Sequence, residues 1–119
     1  MKTQKYYYIK DTWTGKRIRV WFEKDIATIG RGKSKRQVLN LSLWSNEGQY
    51  CDVTIDFQPC FIASKPKLNR AYIDTNNSRW LFHWLIKRKI AKPTYFSHFS
   101  GFCEYPEMEF DEAFLESLS

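Results

Sequence analysis

The chain reads as an α+β domain, an antiparallel sheet of about four to six strands with one main helix packed on one face. Three observations predict it. Apolar and polar residues alternate with a period of two over 17–22, 39–44 and 51–57, the pattern of strands buried on one side only. One segment, 78–90, spreads apolar residues over a wide arc at helical spacing. The order of strands, one helix, then strand and tail suits an antiparallel sheet covered by a helix, not a repeating strand–helix unit.

Residues 5–9 (Lys-Tyr-Tyr-Tyr-Ile) are aromatic and β-branched and favour a strand. Asp11-Thr-Trp-Thr-Gly15 supplies turn residues. In the returning strand Ile18, Val20 and Phe22 face the core, while Arg17, Arg19 and Trp21 face water. Residues 23–36 read as a long polar, mobile loop with Gly30 and Gly32. A second hairpin sets Leu39, Leu41 and Leu43 against Cys51, Val53, Ile55 and Phe57 across the turn Ser45-Asn-Glu-Gly48. Ala71–Asp74 is a short strand. Asp74-Thr-Asn-Asn-Ser78 offers capping oxygens for a helix over 78–90, stopped by Pro93. Tyr95–Phe102 is the last strand, and an acidic tail from 104 ends in a short helix capped by Asp111.

At 119 residues the chain holds a single domain, residues 1–119, with sheet and helix in 1–103 and the acidic tail in 104–119. No apolar run approaches the ~18 residues that span a bilayer. The N-terminal lysines are followed by no apolar stretch, so a signal peptide is not expected. Cys51, Cys60 and Cys103 are odd in number and widely spaced, which suits reduced thiols in a cytoplasm.

Several catalytic and metal readings fail on context. Ala27-Thr-Ile-Gly-Arg-Gly32-Lys33-Ser34 matches a loose phosphate-loop pattern, but strand residues follow where a helix must start. Cys51, Cys60, His83, His98 and Cys103 lack the short spacings of a zinc site. A Cys103–His98 nucleophile pair has no orienting third group. No catalytic residue, metal ligand or cofactor is therefore expected.

Charge is the most informative feature. All 19 Lys and Arg fall within residues 2–92, which hold seven acidic residues and a net +12; residues 93–119 hold six acidic residues and a net −6. The candidate binding residues form three basic groups: Arg17, Arg19 and Trp21 on a wet strand face; Arg31, Lys33, Lys35 and Arg36 in the loop; and Arg79, His83, Lys87, Arg88 and Lys89 on the helix, where Arg79, His83 and Lys87 line one stripe. Arginines with aromatics on a sheet are a common grip for single strands, by stacking and phosphate contact. Glu104, Glu107, Glu109, Asp111 and Glu112 make an acidic candidate, either solvated, docked on the protein's own basic surface, or acting as a nucleic-acid mimic or a lock on a basic partner.

Val38-Leu-Asn-Leu-Ser, Asn46-Glu-Gly-Gln-Tyr50 with Val53-Thr-Ile55, Ala71-Tyr-Ile-Asp-Thr-Asn-Asn77, the helix with Leu85, Ile90-Ala-Lys-Pro93 and Ser100-Gly-Phe-Cys-Glu-Tyr-Pro106 lie within residues 38–110. Over that stretch the chain resembles a family of unknown function, small single-domain proteins carried on conjugative elements and prophages of Gram-positive bacteria. The resemblance implies an accessory gene of a mobile element and carries no catalytic residues. The expectation is a cytoplasmic, non-enzymatic binding protein, monomer or dimer, with no membrane contact. Its partner would be a nucleic acid or nucleoprotein complex, with a host defence protein of the CRISPR or restriction type as target. The competing expectation is a structural or protein-interaction module using Trp13, Trp21, Trp44 or Tyr50 as anchors.

Overall fold

The computed structural model describes residues 5–11, 13–29, 32, 36–56 and 68–118. In chain order these form β1 (Tyr7–Lys10), β2 (Arg17–Ile29), β3 (Arg36–Ser45), β4 (Gly48–Asp52), β5 (Thr54–Ile55), β6 (Arg70–Ile73), α1 (Leu81–Lys87), β7 (Ala91–Ser100), β8 (Cys103–Phe110) and α2 (Glu112–Ser117). Among the described residues the strands make two antiparallel four-stranded sheets, ordered β1-β2-β3-β4 and β5-β6-β8-β7. The expected single sheet with one main helix on a face is thus replaced by a mainly β arrangement with two short helices. No described helix is long and apolar enough to cross a membrane.

The second sheet exists because the expected 51–57 arm, whose Phe57 lies outside the described residues, breaks in two at Val53. β4 ends at Asp52, and the fully buried Val53 turns its N–H to Leu41 O (2.9 Å) and its carbonyl to Asp74 N–H (3.0 Å). The Thr54 hydroxyl accepts from Leu41 N–H (3.0 Å) and donates to Leu39 O (3.4 Å). These bonds satisfy backbone groups that the ladder abandons, as buried polar groups require. β5 is then free to pair with β6, Thr54 opposite Ile73.

β2 is longer than its sequence suggests. It runs to Ile29 and pairs with β3 through Ala27 opposite Val38 and Ile29 opposite Arg36. Residues 23–29 are therefore strand, not loop. Glu23-Lys24-Asp25 hides the alternation because Lys24 is polar at an inward position. It lays its stem inside and donates from Nζ to Leu115 O (2.9 Å).

The helix is shorter than expected. The Asp74–Ser78 side chains serve their own turn: Asn77 donates to both Asp74 carboxylate oxygens (3.0 and 3.2 Å), and Ser78 N–H donates to Asp74 O (3.1 Å). α1 starts only at Leu81, with Trp80 at its cap position and no side-chain cap bond. It ends in a Schellman pattern, Lys89 N–H to Ile86 O (3.0 Å) and Ile90 N–H to Leu85 O (3.1 Å), with Lys89 left-handed at φ 58°. That geometry, not Pro93, stops the helix; Pro93 lies in β7, an edge strand where a missing N–H is tolerated. The acidic segment is likewise not a tail. Cys103–Phe110 is the strand between β6 and β7, and Met108 and Phe110 are buried in the core. The closing helix is present, and Asp111 caps it by accepting from Phe114 N–H (3.0 Å).

One apolar cluster joins both sheets and α1: Val20, Phe22, Leu41 and Leu43 meet Val53, Ile73, Leu81, Leu85, Met108 and Phe110. Phe22 is its aromatic hub, with ring centroids 5.4 Å from Tyr7, 5.9 Å from Trp84 and 5.0 Å from Phe114. Phe22→Ala should cost about 3–5 kcal/mol in urea denaturation. Its neighbour Trp21→Ala, on the outer face, should cost about 1 kcal/mol or less. Equal losses would contradict the assignment of faces. Lys89→Gly should stabilise by roughly 1 kcal/mol, since glycine enters the left-handed region without a Cβ penalty; a lowered denaturation midpoint would contradict it.

Candidate functional site

The site begins with the turn that joins β1 to β2. Asp11 N–H donates to Lys16 O (2.8 Å) and Gly15 N–H to Asp11 O (2.8 Å), with Gly15 at φ 71°. The Asp11 carboxylate accepts from the Thr14 hydroxyl (2.7 Å), the Tyr50 hydroxyl (2.9 Å) and Thr14 N–H (3.0 Å). This knot ties the hairpin to β4 and fixes the register, Tyr8 opposite Arg19 and Lys10 opposite Arg17.

With the register fixed, the pleat sorts the side chains. Tyr6, Tyr8 and Lys10 share the outer face with Arg17, Arg19 and Trp21, and Trp21 stands opposite Trp44 of β3. The Arg17 guanidinium lies 4.0 Å from the Tyr8 ring centre, and that of Arg19 lies 4.5 Å from the Tyr6 ring centre. Tyr6 meets Trp21 edge to face at 6.0 Å. Tyr6 and Tyr8 are each 44% exposed, and both arginines are exposed. The result is an open ladder of alternating planes, positively charged.

α1 brings a further cation to this ladder. Arg88 donates to Tyr8 O (3.2 Å) while its guanidinium lies 4.7 Å from the Trp84 ring centre. Arg17 thus meets the ring of Tyr8 and Arg88 its backbone carbonyl, and Lys87 and Lys89, next to Arg88 in the chain, are both exposed. His83 is exposed on α1, its ring 5.5 Å from that of Phe82. The expected stripe through Arg79, His83 and Lys87 is shortened, because Arg79 precedes the helix. Arg31, Lys33 and Lys35 lie outside the described residues, and Arg36 is placed only by its backbone, at the start of β3 opposite Ile29. Glu23 and Asp25 share the outer face of β2 beyond Trp21, and Trp21 Nε1 donates to Glu23 (3.4 Å). The basic face thus has an acidic border.

The acidic candidates are largely engaged. Glu109 stands between Arg70 (3.1 Å) and Lys92 (3.3 Å), its cross-strand neighbours on β6 and β7, and their hydrogen bonds hold its carboxyl below the ordinary range. Glu107 accepts from the Thr94 hydroxyl (2.7 Å), and Asp111 caps α2. Glu104 is exposed on β8, and Glu112 is exposed in the first turn of α2.

The metal candidates are dispersed, while the β7–β8 register sets His98 and Cys103 on one face as diagonal rather than opposite neighbours. Burial pushes the Cys51 thiol up to about 11 despite a hydrogen bond with Ser78. Cys103 Sγ donates to Asn76 (3.3 Å), His98 lies 5.6 Å from the Tyr72 ring, and Cys60 is outside the described residues. Among the described residues no three His, Cys, Asp or Glu side chains cluster as metal ligands would. The phosphate-loop match joins two antiparallel strands, so β3 stands where a helix would be needed.

Sequence reasoning missed two features. Tyr6, Tyr8 and Lys10 were legible from parity, since they alternate with the inward Tyr7 and Ile9. The second feature is the β7–β8 hairpin, where Phe96 is 67% and Phe99 is 70% exposed, and Tyr95 and Phe102 more so. Tyr95 sits at φ 68° in the irregular stretch between Pro93 and Ser97. The expected anchors differ among themselves: Trp13 is 93% exposed, Trp21 and Trp44 are half-buried, and Tyr50 is held by Asp11.

Residues 33–119 match the family model of a domain of unknown function, DUF4313. The match includes Trp44 and Arg88 but begins after β1 and β2, which carry the stacked arginines. No curated protein and no solved structure matches the chain.

The Asp11 knot has a pH signature. The Thr14 hydroxyl bond, then the Tyr50 and Thr14 N–H bonds, lower its pKa from the ordinary 3.8. A pKa lowered by folding contributes stability above the unfolded value, and the contribution is lost as pH falls through the folded one. Asp11→Asn should therefore lower Tm at neutral pH, with the gap to the native chain closing below about pH 3.8. A gap that stays constant in thermal melts down to about pH 2 would contradict this.

Proposed function

The chain belongs to the DUF4313 family, a domain of unknown function, and from its own residues we propose that it is a non-enzymatic binding protein acting on a nucleic acid or nucleoprotein complex. The observation that carries the reading is the convergence of Arg17 and Arg19 with Tyr6, Tyr8 and Trp21 on one exposed face, with Arg88 fastened at its β1 edge through the Tyr8 carbonyl. Arginines held over rings keep N–H groups for phosphate oxygens and lose little conformational freedom on binding. The net +12 of residues 2–92 adds a long-range attraction for polyanions.

The finer proposal is an accessory protein of a conjugative element or phage that inhibits a host defence nucleoprotein, of the CRISPR or restriction type, by stoichiometric binding in the cytoplasm. The likeness of residues 38–110 to proteins of such elements supports that setting. A second reading, a protein-interaction module, is favoured by the exposed aromatics Tyr95, Phe96, Phe99 and Phe102 on the β7–β8 hairpin, since exposed apolar patches mark interaction sites.

Binding to a labelled oligonucleotide should weaken linearly in log–log plots against salt, with a slope of about −0.7 to −0.9 for each phosphate contact. Arg17→Ala, Arg19→Ala and Arg88→Ala should each reduce that slope by about one contact, while Arg79→Ala should not. Absence of binding at about 50 mM salt, or slopes unchanged in all the variants, would contradict the reading.

A further inference from the structure

We infer that the ligand of this face is single-stranded nucleic acid, with bases stacked on the ladder of Tyr8–Arg17, Tyr6–Arg19 and Trp21 and phosphates met by Lys10, Lys87 and Lys89. This rests on the nucleic-acid reading above and names the ligand class of the same site.

The shape of the face excludes the usual ways of reading a duplex. The major groove, about 12 Å wide, admits a helix or a two-stranded ribbon. Here the arginines sit on a four-stranded sheet. Strands about 4.8 Å apart make such a sheet wider than the groove before side chains are added. The nearby helix is no better suited. α1 has seven residues, buries Leu81 and Leu85, and its end is fastened to β1 by the Arg88–Tyr8 bond. It cannot project into a groove without leaving the core.

The chemistry of the face suits unpaired bases. Each guanidinium carbon lies over a ring, 4.0 and 4.5 Å from its centre, so a charged planar group stands beside each aromatic platform. Aromatic rings and arginine planes are the two platforms on which splayed bases stack. Tyr6 and Tyr8 remain exposed to solvent as residues. Alternate residues of a strand are about 6.8 Å apart, so the rungs stand in a row with separate positions for successive bases.

The charge pattern sets the path. Glu23 and Asp25 continue the outer face of β2 beyond Trp21, and Asp52 stands opposite Ser42 on the same side. These carboxylates repel a phosphate chain. The cations Lys10, Arg17 and Arg19 lie toward β1, and Arg88 is fastened to its edge, with the exposed Lys87 and Lys89 next to it in the chain. The nucleic-acid strand therefore follows the rungs between Lys10 and Trp21 and does not continue along β2 past Glu23.

The test uses the full chain, fluorescence anisotropy at about 50 mM salt, and three probes: oligo(dT), oligo(rU) and a duplex of equal length, about 12 nucleotides. Either homopolymer should bind at least about 10-fold more tightly than the duplex. The double variant Arg17→Lys, Arg19→Lys keeps the charge and loses the planes. It should keep its salt slope and its duplex affinity, yet lose about 10-fold on the homopolymer, within the range of one base stack. Trp21→Phe should retain binding that Trp21→Ala loses. Both positions of the lysine variant are exposed, and an unchanged melting curve shows that it folds. Equal affinity for duplex and homopolymers, or a lysine variant as tight as the native chain on the homopolymer, would overturn the single-strand assignment while leaving phosphate binding in place. No binding of any probe would overturn both readings.

Discussion

The pleat of β2 is the constraint on which the rest of this structure depends. Because successive side chains of a strand point to opposite faces, one segment, Arg17–Phe22, fills the core and builds the candidate site at once. Phe22 on the inner face touches Tyr7 of β1, Trp84 of α1 and Phe114 of α2. Arg19 and Trp21 on the outer face meet Tyr6. A one-residue slip in the β1–β2 register would exchange the two sets, placing guanidinium groups in the core. The Asp11–Thr14–Tyr50 bonds at the turn oppose that slip.

The same constraint explains why both helices are short. α1 and α2 are not independent helices with long amphipathic faces. Each contributes about two turns that close over the aromatic hub, α1 through Leu81, Leu85 and Trp84, and α2 through Phe114 and the Leu115 carbonyl that receives Lys24. The Trp84 indole N–H, buried among rings, finds no acceptor among the described residues. Aromatic coverage of Phe22 is retained at the expense of one hydrogen bond, a loss of the order of 1–3 kcal/mol for a buried donor.

Much of this was legible in the sequence, and the failures have physical causes. The first hairpin, the outward Arg17, Arg19 and Trp21, the β6 strand and the Asp111 cap follow from alternation and capping chemistry alone. The extension of β2 was concealed by Lys24, whose aliphatic stem behaves as an inward residue while its amine reads as polar. Asp74–Ser78 looked like a helix start, yet its oxygens are consumed by a turn. Glu104–Glu109 looked like a solvated tail because no local signal reveals that Arg70 and Lys92 flank Glu109 across two strands. The second sheet depends on the departure of Val53 from the β4 ladder, a long-range event with no signature in a perfectly alternating stretch. At the site, the arginines were legible and their tyrosine partners were readable by parity. The meeting of Arg88 with Tyr8 is separated by 80 residues in sequence and was not.

The central claim is that the outer face of β1 and β2, with the end of α1, is where this chain meets its ligand, even though most of that face lies outside the residues matched by the family model. An NMR titration of the labelled full chain with a short single-stranded oligonucleotide tests it most directly. The account predicts amide shifts concentrated at 6–10, 17–21 and 87–89, with the β7–β8 hairpin at 95–102 undisturbed. Shifts concentrated on that hairpin, or none on the β1–β2 face, would contradict it.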